Sequence, residues 1–425
     1  MQKLIFSIRL KRVLIIKYYD YLIVGGGIIG MSIARELITR FPDESICILE
    51  KESDVAHHSS GRNSGVLHAG FYYTANSLKA RFTREGNQEM TQYCDENNLK
   101  INKCGKIVVA TDENELQGLK ELKNRAEKNG VELKWINESE VRLIDPNVKT
   151  YKKALYSPTT SSVNPVEVCQ VVKAEVVKNG VDIICNTQYK GISNGEILTS
   201  SGKFTCQYFV NAAGLYADKI AKDFKFGDKY TIIPFKGIYL KYAKNKSDVV
   251  TNIYPVPNLA NPFLGVHFTK TVDESIKIGP TAIPALWREN YGGLRSFKFN
   301  EFFSILFYEA KLFLNNSFNF RSLAIEEMKK YRKSYFTNLS LKMVRKLDKD
   351  GFGQFMKPGI RAQLLNKKTL ELVQDFVVEG DNRSFHILNA VSPGFTCAFP
   401  FSRYVVDEIV DKQGGKLEEI REDIS

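Results

Sequence analysis

The chain has 425 residues, a length that suits two domains of ordinary size. Hydrophobic residues make up 43% and aromatics 12%, which excludes a disordered chain and supports a sizeable core. The net charge of +12 reads first as a lysine-rich, solvated surface, with attraction of acidic metabolites or of an anionic membrane surface as the functional alternatives; no basic-aromatic motif accompanies it, so no nucleic-acid partner is expected.

Seven cysteines (Cys47, Cys94, Cys104, Cys169, Cys185, Cys206, Cys397) are dispersed, without a CxxC pair or a metal-ligand spacing. They read as reduced thiols, which points to the cytoplasm and to no bound metal. No apolar run reaches the roughly 18 residues that a membrane span requires. Residues 1–17 form a basic, apolar extension interrupted by Arg9, Lys11 and Arg12. That fits a secretory signal poorly and leaves open a transit peptide, a helix lying on the inner face of a membrane, or an extension without function.

Tyr19 to Val24 reads as a buried strand, Met31 to Arg40 as a helix and Ser45 to Glu50 as a second strand. Between the first two stands Gly25-x-Gly27-x-x-Gly30. Gly25 allows the tight turn, Gly27 lets a pyrophosphate approach the backbone, and Gly30 lets helix and strand pack closely. The start of the helix, with Ile28 and Ile29, offers free N–H groups to phosphate. Glu50, followed by Lys51, falls about 20 residues beyond Gly30, where a ribose-binding acid is expected. Strand, helix, strand and acid together define a dinucleotide cradle.

The next segment, residues 57–73, holds three of the five histidines, His57, His58 and His68. Ser60, Arg62, Asn63, Ser64 and Gly65 stand among them, as in a loop lying against a bound ring. Ser77 to Asn97 and Glu113 to Asn129 read as helices, with a strand from Gly105 to Ala110 between them. A further helix starts at Pro165 and runs to about Asn179. The strand Lys203 to Val210 leads into Asn211-Ala212-Ala213-Gly214, where Ala213 and Gly214 permit close backbone approach, and Leu215 onward is helical. Residues 232–243 and 261–279 are strand-rich, as in a sheet covering a ligand.

Residues 301–348 are helical, and Phe302, Phe303, Ile305, Leu306, Phe307, Leu312, Phe313 and Leu314 make their start apolar nearly all round. Such a helix is expected in the core, with docking on a membrane or partner as the alternative. Near the C-terminus Gly394, Phe395 and Thr396 precede a helix, Phe399 to Lys412, whose start can stabilise negative charge on a reduced flavin. The resulting fold class is α/β, with an α+β substrate domain. The glycine motif alone does not decide between NAD and FAD; its place near the N-terminus and the segments at 211–214 and 389–396 favour FAD, so a Rossmann-like FAD-binding domain is expected from discontinuous segments, 18–105, 158–232 and 352–425. A mixed or antiparallel sheet forms the substrate domain, 106–157 and 233–351.

The order of these pieces resembles the glycine oxidase and D-amino-acid oxidase superfamily of FAD enzymes, and more closely the L-2-hydroxyglutarate dehydrogenase/oxidase family. The resemblance spans residues 18–408 and is weakest over 291–351. It rests on the fingerprint with Glu50, on SGRNSGVLHAGFYY at 60–73, on SLKA at 77–80, and on NIYPVP at 252–257. PFLGVHF at 262–268 and GIRAQ at 359–363 complete it. Ser60 and Arg62 depart from some members, which carry Thr and His there, and SPGFTCAFPF near the C-terminus differs from part of the family. The resemblance implies FAD, a small 2-hydroxy acid, L-2-hydroxyglutarate, oxidised to 2-oxoglutarate by hydride transfer to the flavin, and oxygen or a quinone as electron acceptor, with peripheral membrane contact in the quinone case. It assigns Arg361 to the substrate carboxylate, for which a guanidinium fork is well matched. His68 and His267, each in an apolar segment, are the candidates for the base, with His68 favoured. Tyr254 and Lys236 are candidates for the distal carboxylate, with Arg62 as a further substrate contact. An amino-acid or glycerol-3-phosphate oxidoreductase, and a non-catalytic flavin-binding electron-transfer protein, remain as alternatives.

Overall fold

The computed structural model describes residues 16–257 and 263–414. The N-terminal extension 1–15 and residues 258–262 lie outside the described residues. Parallel pairing of Lys17–Val24 with both Ile46–Leu49 and Lys203–Asn211 builds the centre of an eight-stranded sheet. Asp182–Ile184 and Ser384–Asn389 extend it in parallel. Strands buried on both faces read as unbroken apolar runs, and Tyr21 to Val24 and Ile46 to Leu49 do so. The helices Ile28–Arg40, Pro165–Lys178 and Ala398–Lys412 pack as one layer against this sheet, burying Met31, Ile33, Leu37, Val172, Val406 and Ile409 together.

The second large sheet runs Phe352–Phe355, Leu240–Tyr242, Ile276–Gly279, His267–Lys270, Asn252–Pro255, Lys106–Val109, Lys153–Ser157 and Lys134–Asn137. It is antiparallel except where Asn252–Pro255 runs parallel to Lys106–Val109. Phe352–Phe355 pairs with Leu240–Tyr242, which carries this sheet past the domain boundary expected at 352. Alternation along its strands gives two unlike faces. Ile107, Ile253, Phe268 and Ile278 fill an apolar core on one side. Lys106, Tyr254, His267 and Lys277 point to the other.

A three-stranded sheet, Ile283–Pro284, Tyr230–Gly237 and Gly359–Asn366, bridges the two large sheets and sets Arg361 opposite Phe235. The buried pair Arg288–Asp218, at 2.6 Å, ties the short helix Ala217–Asp223 to the segment leading into the helical insertion.

That insertion folds as three helices, Phe299–Asn315, Phe320–Lys329 and Lys333–Leu341. The expectation that its apolar start forms core does not hold. Only Ile305 and Leu312 of its large apolar side chains are buried, beside Glu301 and Glu309. Phe299, Phe303, Leu306, Phe307, Phe313 and Leu314 are exposed, Phe307 by 61% and Leu314 by 72%. Glu301 turns inward to pair with Lys219, with Lys298 beside it; Glu309 is buried with its Oε1 unpaired, and the apolar stripe faces outward. Among the described residues no helix is long and apolar enough to cross a membrane, and all seven cysteines are free thiols.

Candidate active site

A cavity of about 1150 Å³ runs between the sheets, from Glu50 to Arg361. Its first half is the glycine turn. Gly25 has φ +115°, and a Cβ there would lie 2.4 Å from the Ala212 carbonyl oxygen. Glu50 receives the Gly26 N–H on Oε2 at 2.8 Å and the Glu52 N–H on Oε1 at 2.9 Å, which fixes its carboxylate at the end of the second strand. Ser60 Oγ accepts the Ile28 N–H at 2.9 Å, so the histidine-bearing loop is fastened to the start of the first helix.

Gly25, Gly27, Ile28, Ile29, Glu50, Lys51, Ser60, Asn63, Ser64, Ala213, Gly214, Gly394, Phe395 and Thr396 all line the cavity. Gly30 and Gly65 do not. Gly30 packs on the Gly25 carbonyl, where a Cβ would approach to 2.0 Å, and Gly65 (φ +76°) packs on the Val163 carbonyl. Both shape the wall from behind. Gly214 (φ +53°) lines the cavity, and a Cβ there would meet no protein atom within 4 Å. Backbone at three separated glycine positions thus borders one elongated space with an acid at its end, and these residues fit an FAD.

At the other end His68, His267, Tyr254, Phe235, Tyr239 and Arg361 converge. The His68 N–H donates to Thr396 Oγ1 at 3.2 Å, which joins the two halves of the cavity. Its Nδ1 is buried and makes no hydrogen bond. Burial, with Lys106, His267 and Arg361 nearby, holds the His68 imidazole well below its usual range. His267 hydrogen-bonds through Nδ1 to the Gly265 carbonyl at 2.8 Å. Its ring stacks on Tyr254 with centroids 3.7 Å apart, and burial pulls it down to about 3. Both imidazoles are therefore neutral at ordinary pH, each with one ring nitrogen that carries no proton. The Arg361 guanidinium lies over the Phe263 ring at 5.1 Å, and burial lowers it from its ordinary value.

Two expected contacts stand differently. Lys236 does not line the cavity; alternation turns it away from Phe235 and Arg361, and Nζ donates to Asn290 Oδ1 at 3.0 Å. Arg62 lines the wall, but Nε donates to the His57 carbonyl at 2.6 Å and the guanidinium stacks on Tyr291 at 4.3 Å. His58 bridges Tyr291 and Glu52. Glu52, His58 and Glu289 lie close enough together to hold an ion, but Lys51 Nζ already sits on Glu52 and Glu289 at 2.5 and 2.6 Å, making this an ion-pair network.

Sequence reading missed the buried lysines Lys79, Lys106 and Lys277, all at most 8% exposed. Only strand alternation from Tyr254 and His267 could have found Lys106 and Lys277.

A dinucleotide cradle that opens directly onto two neutral histidines and an arginine defines a flavin-dependent oxidoreductase site. The chain matches the FAD dependent oxidoreductase family over residues 20–407 and belongs to it. It is 35% identical to the L-2-hydroxyglutarate dehydrogenase of Escherichia coli, over 92% of this chain and 93% of that one. It is 34% identical to the mitochondrial L-2-hydroxyglutarate dehydrogenase of Homo sapiens, over 92% and 88%. Among solved structures the fold is similar to L-alpha-glycerophosphate oxidase from Mycoplasma pneumoniae with FAD bound, with a TM-score of 0.73 at 21% identity, covering 93% of this chain and 95% of that one. Glycine oxidase from Geobacillus kaustophilus gives a TM-score of 0.67 at 18% identity over the same shares. The protein is an FAD-dependent oxidoreductase with that two-domain fold.

Proposed function

We propose that the protein oxidises L-2-hydroxyglutarate to 2-oxoglutarate. The observation that carries this reading is the meeting of Arg361, His68 and His267 on the cavity that continues the FAD cradle, in a chain whose relatives bear that activity in their names. FAD, when bound, supplies the acceptor for the α-hydrogen as hydride. Gly25, Gly27, Ser60, Glu50, Gly214 and Thr396 would hold it. Arg361 grips the carboxylate beside the reacting carbon. His68 takes the hydroxyl proton, because its backbone is tied to Thr396 and its buried Nδ1 has no competing partner. Tyr254 and Phe263 close the site to water and strengthen each charge inside it.

The test is an anaerobic absorbance spectrum of the purified holoprotein before and after addition of L-2-hydroxyglutarate. Bleaching of the flavin bands by the L form and not the D form is the expected result. A flavin that stays oxidised with L-2-hydroxyglutarate but bleaches with glycerol 3-phosphate or an amino acid overturns the substrate. Failure of every such compound supports a non-catalytic carrier.

We further propose that electrons leave to a membrane quinone and not to oxygen. The supporting observation is the outward apolar stripe of Phe299–Asn315, flanked by exposed Lys298, Lys311 and Arg321. Exposed aromatics beside basic side chains suit an anionic lipid surface. Flotation with phosphatidylglycerol vesicles that is lost in Phe303→Ser/Phe307→Ser is expected. Full recovery of the wild type in the unbound fraction at low salt overturns it.

A further inference from the structure

Four side chains share the ligand-facing side of the second large sheet. Register sets Asn252 beside Lys106 and Thr269 beside Lys277, so Lys106, Tyr254, His267 and Lys277 project to one face. Lys106 is wholly buried, and its Nζ has no hydrogen-bond partner. It lies 4.2 Å from the Tyr254 ring centroid, 5.1 Å from that of Tyr72 and 5.5 Å from that of Phe71. Lys277 is 8% exposed and lies 4.7 Å from the Tyr239 ring centroid. Among the described residues neither ammonium forms an ion pair with a carboxylate. Tyr254, His267 and Tyr239 line the cavity and the two lysines do not, so Lys106 reaches it across the stacked rings of Tyr254 and His267, and Lys277 across Tyr239.

Buried ammonium groups without a counter-ion are costly, and contact with a ring face offsets only part of that cost. An anion bound in the cavity would offset more. We propose that Lys106 and Lys277 select a dianionic substrate, their charges acting through Tyr254 and Tyr239 to hold the carboxylate distal to the one gripped by Arg361. This rests on the substrate reading above and replaces Lys236 as the expected cation for that group.

The state of the two lysines supports the proposal. Burial, only partly opposed by Cys104, pulls Lys106 down to about 7, and burial opposed by Asp273 pulls Lys277 down to about 8. The charged and titratable groups facing Lys106 are Cys104, His68, His267, Tyr72 and Tyr254; those facing Lys277 are Asp273, His267 and Tyr239. A bound dianion raises both lysines and draws protons from solution.

Two measurements test this. The first titrates 2-oxoglutarate into the oxidised holoenzyme by calorimetry at about pH 8 in buffers of different ionisation enthalpy. Uptake approaching about one proton per ligand is expected, with much less for 2-oxopentanoate, which has the same chain length and one carboxylate fewer. The second compares kcat/KM for L-2-hydroxyglutarate with that for L-2-hydroxypentanoate in wild type, Lys106→Met and Lys277→Met. The ratio is expected to fall on the order of tenfold in each variant. A merely structural role would lower both substrates together and leave the ratio unchanged, and an unchanged ratio overturns the proposal. If Lys106→Met does not fold, Lys277→Met and the wild-type proton uptake decide; absence of uptake also overturns it. A wild type that fails to oxidise L-2-hydroxyglutarate defeats the substrate reading itself, a different outcome from an unchanged ratio in an active enzyme.

Discussion

His267 lies parallel to Tyr254, with the planes 17° apart, and its Nδ1 meets the Gly265 carbonyl. The carbonyl can only accept, so the proton sits on Nδ1 and Nε2 is left to accept one. Burial holds this ring neutral down to about pH 3. An unfolded chain protonates a histidine near its ordinary value of about 6.5. Between those values the unfolded state binds more protons, so stability is full above about pH 6.5 and falls as pH drops, by about 1.4 kcal/mol per unit from this residue alone. Urea denaturation between pH 7 and pH 5 checks it: His267→Gln is expected to flatten the pH dependence. An unchanged slope would show that the ring is not the group responsible.

His68, whose backbone is joined to Thr396, is the proposed base. His68→Gln is expected to slow flavin reduction by on the order of 10²–10⁴-fold while FAD stays bound. Stopped-flow reduction with L-2-hydroxyglutarate measures it. If His267→Gln shows the large loss and His68→Gln a small one, the two roles exchange.

Arg361 and Lys236 sit one residue apart in register on paired strands, since Phe235 faces Arg361 across the ladder. Alternation sends Arg361 to the cavity and Lys236 to Asn290. Arg361→Ala is expected to raise KM sharply, with a loss of roughly 2–5 kcal/mol in kcat/KM. Lys236→Ala is expected to leave KM within about twofold. Equal effects of the two substitutions would refute the orientation described for Lys236.

The FAD half of the site was legible because its chemistry is local. Strand, glycine turn, helix and acid lie within residues 19–50, and their spacing is the geometry. The substrate half is assembled by long-range pairing. Tyr254 and Lys106 lie almost 150 positions apart yet share adjoining strands, and nothing local to Lys106 marks it as buried. Lys236 was misplaced for the same reason: the choice between two faces of a strand shifts with one residue of register. The helix Phe299–Asn315 was misread because composition records how apolar a helix is, not which side meets the protein. Glu301 settles that side by its pairing with Lys219.

Two glycines separate folding from cofactor binding. At Gly25, φ is +115° and an added Cβ would meet the Ala212 carbonyl oxygen at 2.4 Å. Backbone stands on both sides of that contact and neither can yield, so Gly25→Ala is expected to abolish soluble, cooperatively folding protein. At Gly214, which lines the cavity, an added Cβ would meet no protein atom within 4 Å, and the left-handed backbone costs a non-glycine residue only about 1 kcal/mol. Gly214→Ala is therefore expected to fold and to lose FAD, with the apoprotein fraction rising on gel filtration while circular dichroism is retained. Full flavin occupancy in Gly214→Ala would mean that the cradle does not bring FAD against this turn, and would move the cofactor contact to Gly394 and Thr396.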